Sequence, residues 1–182
     1  MIRSKDIIDE YDKRIRIVSK EVTFPLDDKT KKIINDSLEM LRLSQIDEEA
    51  EKYNLRPGMG LSLIQLGIAK RIFVICYEVD DGVFENYIVI NPKIISQSEE
   101  MIYVEEGEGC LSINRPVEGI VPRNARIKVE YYDMDGNKIE KRFREELSVV
   151  FQHELDHLNG MLFYDRIDKK NPYKNANKYR PI

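Results

Sequence analysis

The chain has 182 residues, of which 42% are hydrophobic and 34% are charged, and its formal net charge is −4. This length suits one domain with a hydrophobic core, and the small negative charge does not favour general binding to nucleic acid. No apolar run approaches the ~18–20 residues of a membrane-spanning helix. We therefore expect one domain over residues 1–168, followed by a polar, basic and loosely ordered tail over residues 169–182.

The start of the chain and its two cysteines favour a cytoplasmic protein. Residues 1–16 alternate charged and apolar side chains, which is not the pattern of a secretory signal peptide. Without such a signal, Cys76 and Cys110 are expected to be reduced thiols rather than a disulfide.

The first predicted element is a long amphipathic helix that runs to about Tyr53. Asp27 and Asp28 offer a capping side chain at its start. Apolar residues then recur at helical spacing, at Ile33, Ile34, Leu38 and Leu41. A Pro-Gly-Met-Gly break at residues 57–60 follows the helix.

Strands are predicted for the middle of the chain. Two β-rich runs, residues 71–79 and 87–95, are separated by a turn that contains Asp80, Asp81 and Gly82. Residues 126–143 have the alternating pattern of a hairpin with Asp135 and Gly136 in its turn. Residues 161–167 are predicted to form one more strand.

Helical periodicity returns over residues 146–160. Leu147, Phe151, Leu155 and Leu158 make one apolar stripe, and Gly160 is well placed to end the helix. Because strands and helices do not alternate regularly along the chain, the predicted fold class is α+β rather than a doubly wound sheet.

This last helix carries both histidines of the chain, in the pattern H-E-x-x-H. Residues four apart differ by about 40° around a helix and lie one turn apart, so His153 and His157 can reach one metal ion. Glu154 lies on the adjoining flank, where it can act on a metal-bound water as a general base. The alternative is a helix with two ordinary histidines, in the core or in solvent.

The remaining residues limit the choice of a third ligand. There is no further histidine, and no glutamate follows Glu154, which excludes a three-histidine site and a downstream glutamate ligand. Asp165 and Asp168 stay open. Cys76 lies in an apolar run and is predicted to be core, whereas Cys110 follows a glycine-rich turn and offers a soft thiolate to a transition metal. Cys110 with the two histidines is therefore the preferred set.

Three stretches of the sequence resemble the motifs of the peptide deformylases. They are GMGLSLIQ (residues 58–65), EGCLS (residues 108–112) and QHELDHLNG (residues 152–160), in the order and spacing of that family. The segment between the first two motifs, and FYDRID near residue 165, resemble the second of its two bacterial classes. In the first motif, Ser62, Leu63 and Ile64 stand where the family usually has two small residues after the leucine.

The resemblance implies antiparallel β-sheets packed around a central helix that carries the histidines, with a long N-terminal helix. It implies metal-dependent hydrolysis of the N-formyl group from the initiator methionine of new polypeptides. Fe2+ is the metal it implies, while Zn2+, Ni2+ and Co2+ also suit the ligands. Gln65 and the backbone N–H of Leu111 would stabilise the developing oxyanion, and Glu108 and Arg123 would form a supporting pair.

Substrate contacts are predicted for two segments. Val149 and Val150, one turn before His153, are expected to line a pocket for the methionine side chain. Gly58 and Gly60 are expected to run beside the substrate backbone. The expected partner is a formyl-methionine nascent peptide bound by a monomer, with no DNA and no membrane.

Three other functions stay open. A metallopeptidase would combine the histidines with a carboxylate such as Asp165. A non-catalytic module would hold a structural metal or none. The basic tail could contact ribosomal RNA through Lys169, Lys170, Lys174, Lys178 and Arg180.

Overall fold

The computed structural model describes residues 2–182, so Met1, the first residue of the predicted domain, lies outside the described residues. The helices and strands follow in the order α1 (Asp28–Ser44), α2 (Asp47–Tyr53), β1 (Gly60–Ser62), β2 (Ile72–Asp80), β3 (Val83–Gln97), β4 (Met101–Tyr103), β5 (Arg123–Asn124), β6 (Arg126–Tyr132), β7 (Lys138–Arg144), α3 (Glu145–Leu158) and β8 (Arg180–Pro181). Short 3₁₀ helices lie at Ser4–Asp6, Lys13–Arg16, Leu63–Leu66 and Phe163–Arg166.

Five strands form the main sheet in the order β1-β2-β3-β6-β7, and all neighbouring pairs in it are antiparallel. A smaller sheet has the order β5-β4-β8, in which β4 and β8 are parallel. The predicted α+β class with antiparallel sheets is therefore confirmed, with one parallel pair as the exception.

The predicted strands of the main sheet are also confirmed. Residues 71–79 and 87–95 fall on β2 and β3, which pair from Ile72 opposite Ile90 onwards. Residues 126–143 form the β6–β7 hairpin. Gly136 in its turn has a φ of +85°, a left-handed conformation that favours glycine.

Helices cover both faces of the main sheet. On one face, Ile34 and Leu41 of α1 belong to a buried apolar cluster. On the other, Phe151 of α3 meets Phe73 of β2 edge-on, with ring centroids 5.0 Å apart. Val149 of α3 packs instead in a cluster near the smaller sheet, so α3 is fixed from two sides. Among residues 2–182, no helix has both the length and the apolarity needed to cross a bilayer.

The prediction of one long helix up to Tyr53 was wrong, because the chain turns at residues 45–46. Ile46 has an extended backbone, with φ −110° and ψ 110°, and α2 starts after it. The Gln45 amide donates to the carbonyls of Gly58 and Cys76 at 3.1 and 3.0 Å, which holds this turn in place. The predicted start of the helix is confirmed: α1 begins at Asp28, after a segment with short 3₁₀ helices, and the Asp27 carboxylate accepts from the Thr30 backbone N–H at 2.7 Å.

The predicted strand over residues 161–167 was wrong as well. Phe163–Arg166 form a 3₁₀ helix, and the Asp165 carboxylate accepts from the backbone N–H of Leu162 at 2.8 Å. Leu162 and Phe163 are adjacent and both are buried. A strand would turn one of them to the other face, so a helical turn buries this apolar pair better.

The division of the chain at residue 168 stays a prediction. At the end of the tail, Ile182 donates its backbone N–H to the Tyr103 carbonyl at 3.0 Å. Arg180 forms ion pairs with Glu100 at 2.9 Å and with Glu145 at 2.7 Å. The last three residues therefore have defined contacts, unlike the loose end that we expected.

Candidate metal centre

The structure brings Cys110, His153 and His157 together. One ligand atom of each lies within 4.8 Å of the other two, and the Cys110 Sγ is 3.3 Å from the His157 Nε2. Both histidines extend from α3, whereas Cys110 comes from the segment between β4 and β5. An ion that binds sulfur at ~2.3 Å and nitrogen at ~2.0 Å can join donors at such distances. The three residues thus fit a transition metal with soft and borderline ligands.

The other candidates for a third metal ligand make contacts away from the two histidines. Asp165 is paired with Arg16, and Asp168 is paired with Lys174 at 2.8 Å. Cys76 is fully buried in the cluster beneath α1, and burial raises the pKa of its thiol to about 11. Over residues 2–182, no other group of three His, Cys, Asp or Glu residues has converging ligand atoms.

Glu108 orients His153. The His153 Nδ1 lies 2.8 Å from the Glu108 Oε2, which leaves Nε2 for a metal. Arg123 donates to both carboxylate oxygens of Glu108, at 2.7 and 2.8 Å. Burial raises the pKa of Glu108, but Arg123 and then His153 outweigh burial and lower that pKa to about 2. The resemblance implied only the pair of Glu108 with Arg123. The contact between Glu108 and His153 was not predicted from the sequence.

The two histidines differ in their electrostatic surroundings. Burial, followed by the charge on His153, lowers the pKa of His157 well below its usual value. A low pKa favours the neutral imidazole, the form that a metal ligand requires. Burial also lowers the pKa of His153, but hydrogen bonds with Cys110 and Glu108 outweigh it and raise that pKa. The His157 Nδ1 is buried and has no hydrogen-bond partner among residues 2–182.

Glu154 is buried beside the ligands. The Ser62 hydroxyl lies 2.7 Å from the Glu154 Oε2, and a Cβ at residue 60 would lie only 2.4 Å from Oε1. Gly60 therefore leaves the space that the carboxylate occupies. Burial is the main cause that raises the pKa of Glu154, and His153 and Ser62 partly oppose it.

Gln65 is also buried, and its side-chain amide lies beside Cys110 and Ser112. Its Oε1 accepts from the Ser62 backbone N–H at 2.9 Å, which fixes the orientation of the amide. Its Nε2 is 3.1 Å from the Ser112 Oγ and 3.7 Å from the Cys110 Sγ. The side-chain N–H₂ therefore lies at the edge of the metal centre.

A cavity of about 570 Å³ opens onto these residues, within the range of small-ligand sites (~300–1,000 Å³). Its walls include every residue predicted to contact the substrate: Gly58, Gly60, Val149 and Val150. Leu111 also lines it. Arg56 donates to the carbonyls of Leu111 and Ile113, and these hydrogen bonds hold that wall of the cavity in position.

Comparison with known proteins identifies the family. Residues 4–173 match the polypeptide deformylase family. The chain belongs to this family. Among curated deformylases, Peptide deformylase 2 of Bacillus anthracis is 41% identical over 182 residues, which cover 100% of this chain and 99% of that protein. The deformylase of Shouchella clausii is 45% identical over 175 residues, or 96% of each chain.

Solved deformylase structures share the fold. The crystal structure of the deformylase from Thermotoga maritima matches with a TM-score of 0.70 and 34% identity, over 89% of this chain and 96% of that one. The deformylase from Plasmodium falciparum matches with a TM-score of 0.72 and 33% identity, over 94% and 91%. The resemblance based on three motifs is thus confirmed.

Sequence reasoning missed several supporting residues of this deformylase site. Ser62 contacts both Glu154 and Gln65, and Ser112 contacts Gln65. Both serines lie inside the deformylase motifs, which is the one signal that could have pointed to them. Leu63 and Ile64, where the first motif departs from the family pattern, are fully buried and so are accommodated.

Proposed function

We propose that this site hydrolyses the N-formyl group of formyl-methionine at the start of newly synthesised polypeptides and releases formate. The observation that carries the proposal is the convergence of Cys110, His153 and His157 at a cavity, with the Glu154 carboxylate buried beside them. Membership of the deformylase family supports the same reaction.

The metal is proposed to be Fe2+, held by the Cys110 Sγ and one ring nitrogen from each of the two histidines. The ligands suit Zn2+, Ni2+ and Co2+ as well. When bound, such an ion lowers the pKa of a coordinated water and polarises the formyl oxygen. Three protein ligands are typical of a catalytic site, since structural sites are usually closed by four.

Glu154 is proposed to move the proton. Its Oε2 is held by the Ser62 hydroxyl, and Oε1 lies towards Gly60. In the ionised state, Glu154 takes a proton from the water that attacks the formyl carbon. It then gives that proton to the leaving amine as the C–N bond breaks. Because burial raises the pKa of Glu154, its carboxylate is a stronger base than an exposed one.

Gln65 and Leu111 are proposed to stabilise the negative charge that develops on the formyl oxygen. The Gln65 Nε2 and the backbone N–H of Leu111 would donate to that oxygen. Gln65 needs little reorganisation, because its Oε1 is already held by the Ser62 N–H. Removing one donor of this kind lowers kcat by ~10²–10³-fold in comparable sites.

The peptide is proposed to bind along β1. This strand stands at the end of the sheet order, so one of its edges can pair with an extended chain. Gly58 and Gly60 line the cavity beside this strand, as do Val149 and Val150, which we assign to the methionine side chain.

The proposed setting is the cytoplasm, where new polypeptides are made, with the enzyme acting as a monomer without DNA or a membrane. A ribosome contact through the tail is a further proposal. Within the tail, Lys174 is paired with Asp168 and Arg180 with Glu145. Such a contact would therefore fall mainly to Lys169, Lys170 and Lys178.

An anaerobic assay with three peptides tests this function. The substrates are a formyl-Met peptide, its acetyl-Met counterpart and an unmodified longer peptide. We expect formate from the first and no product from the others. Cleavage of internal peptide bonds alone would instead indicate a metallopeptidase, and a metal-loaded protein without any turnover would indicate a non-catalytic module. Air must be excluded, since oxidation of iron or thiolate would inactivate the site.

A further inference from the structure

The 3₁₀ helix Phe163–Arg166 contacts the metal-binding helix at two points. The Phe163 ring stacks on the His153 ring, with centroids 6.0 Å apart and an interplanar angle of 24°. Arg166 holds Asp156 through two hydrogen bonds, Nε to Oδ2 and Nη2 to Oδ1, both 2.6 Å long. None of the steps proposed above uses Phe163, Arg166 or Asp156.

Asp156 connects Arg166 to the residues behind the metal centre. Its Oδ2 also accepts from the Arg123 Nη1 at 2.6 Å. Arg123 binds Glu108, and Glu108 accepts from the His153 Nδ1. A continuous path of charge-assisted hydrogen bonds therefore runs from Arg166 to a metal ligand.

With a neutral His153, the form that a metal ligand requires, the charges along this path balance only when Arg166 is included. The side chains of Glu108, Arg123 and Asp156 are 4%, 0% and 4% exposed, and together they carry two negative charges and one positive charge. Arg166, which is 38% exposed, supplies the second positive charge. Without Arg166, the two buried carboxylates would share the single positive charge of Arg123, and one negative charge would be left without a partner. A buried charge without a partner is strongly destabilising.

We propose that Arg166 is a positioning residue for the metal centre. By holding Asp156, it leaves Arg123 free to bind both oxygens of Glu108, and Glu108 then fixes the orientation of the His153 ring. The inference rests on the proposed metal-dependent function. Loss of a direct outer partner of a metal-bound histidine lowers metal affinity ~10–100-fold. Arg166 lies three links beyond Glu108, so we expect a smaller effect.

Binding of Co2+ to the metal-free protein tests the proposal. We would compare Arg166→Gln, Arg166→Lys and the control Arg115→Gln. Arg115 also forms a two-bond ion pair, with Glu10 at 2.9 Å and 2.9 Å, and its side chain is 47% exposed. The Kd is measured anaerobically by chelator competition, well below the unfolding temperature of each metal-free variant. The visible absorption of bound Co2+ reports the ligand geometry in the same samples.

We expect Arg166→Gln to raise the Kd for Co2+ by about 3–10-fold and to change the Co2+ absorption. Arg166→Lys should raise the Kd less, because an ammonium keeps the charge but not the two-bond geometry. Arg115→Gln should stay within about twofold of the unmodified protein, because the hydrogen bonds of Arg115 go to Glu10 and not to the path from Arg166 to His153.

An unchanged Kd in folded Arg166→Gln, or an equal rise in Arg115→Gln, would overturn the proposal. If Arg166→Gln does not fold, Arg166→Lys takes its place: a raised Kd supports the proposal and an unchanged Kd overturns it. Failure of the unmodified protein to bind Co2+ or to release formate would contradict the proposed function instead, so the two failures are distinguishable.

Discussion

The hydroxyl of Ser62 donates to the Oε2 of Glu154 across 2.7 Å, so the carboxylate that we propose as the base is held from β1. Gly60 lies two residues earlier on the same strand, and a Cβ there would meet the Oε1 of Glu154 at 2.4 Å. Residues two apart on a strand face the same side. One face of β1 therefore both holds Glu154 and makes room for it.

Replacing Ser62 by Ala should lower kcat by about 10- to 150-fold, because a hydrogen bond to a charged group contributes ~1.5–3 kcal/mol. Metal content should not change, since Ser62 touches none of the three ligands. Kinetics with a formyl-Met peptide and metal analysis of the same preparation measure both quantities. Ser37→Ala is the matched control: Ser37 is fully buried and its hydroxyl donates to the Ile33 carbonyl within α1. Equal kcat in both variants would show that Ser62 does not position Glu154.

Replacing Gly60 by Ala should lower kcat by ~10²-fold, because the new Cβ displaces the Glu154 carboxylate and a misplacement of ~1 Å can have an effect of this size. Steady-state kinetics and thermal unfolding separate activity from stability. The control is Gly82→Ala in the β2–β3 turn, where φ is +69° and a Cβ would meet no atom within 4 Å. That variant should lose stability but keep its kcat. Normal kcat in Gly60→Ala would contradict the proposed position of the base.

Replacing Glu154 by Gln should lower kcat by ~10²–10⁴-fold, the usual contribution of a general base, while the protein keeps its metal. The amide has nearly the same shape but does not accept the proton. Metal analysis of the purified variant, together with formate release, provides the measurement. A variant that turns over normally would exclude Glu154 as the proton carrier.

The two thiols should react differently with iodoacetamide. Cys76 is fully buried, and burial raises its pKa to about 11, so we expect no reaction in the folded protein. Cys110 is only partly buried, so it should react in the metal-free protein and be protected once metal is bound. Mass spectrometry counts the modified thiols, and unfolded protein serves as the control in which both react. Equal labelling of Cys110 with and without metal would contradict its assignment as a ligand.

The convergence of Cys110, His153 and His157 could be predicted because its signal is local or concerns residue types that are rare in the chain. The spacing of His153 and His157 defines one helix face, and only a few residues could supply a third ligand. Cys110 was preferred while Asp165 and Asp168 stayed open, and the structure brings Cys110 to 3.3 Å from His157. The hairpin of residues 126–143 was predictable for the same reason, since alternation and turn residues are local patterns.

Apart from the Glu108–Arg123 pair, which the family resemblance implied, the supporting contacts could not be predicted, because they join distant parts of the chain. Glu108 reaches His153 across 45 residues, and Ser62 reaches Glu154 across 92. The turn that ends α1 depends on carbonyls of Gly58 and Cys76, which no local pattern specifies. In these places tertiary contacts decide the structure, and intrinsic propensity is overridden.

Stepwise return of metal to the metal-free protein tests the central claim most directly. Fe2+ is added anaerobically in sub-stoichiometric amounts, and bound metal and formate release from a formyl-Met peptide are measured in each sample. We predict that turnover rises in proportion to bound metal and stops at one ion per chain, and that Cys110→Ala neither binds the ion tightly nor releases formate. Turnover without metal, or a Cys110→Ala variant that keeps full occupancy and activity, would contradict a deformylase centre built on Cys110, His153 and His157.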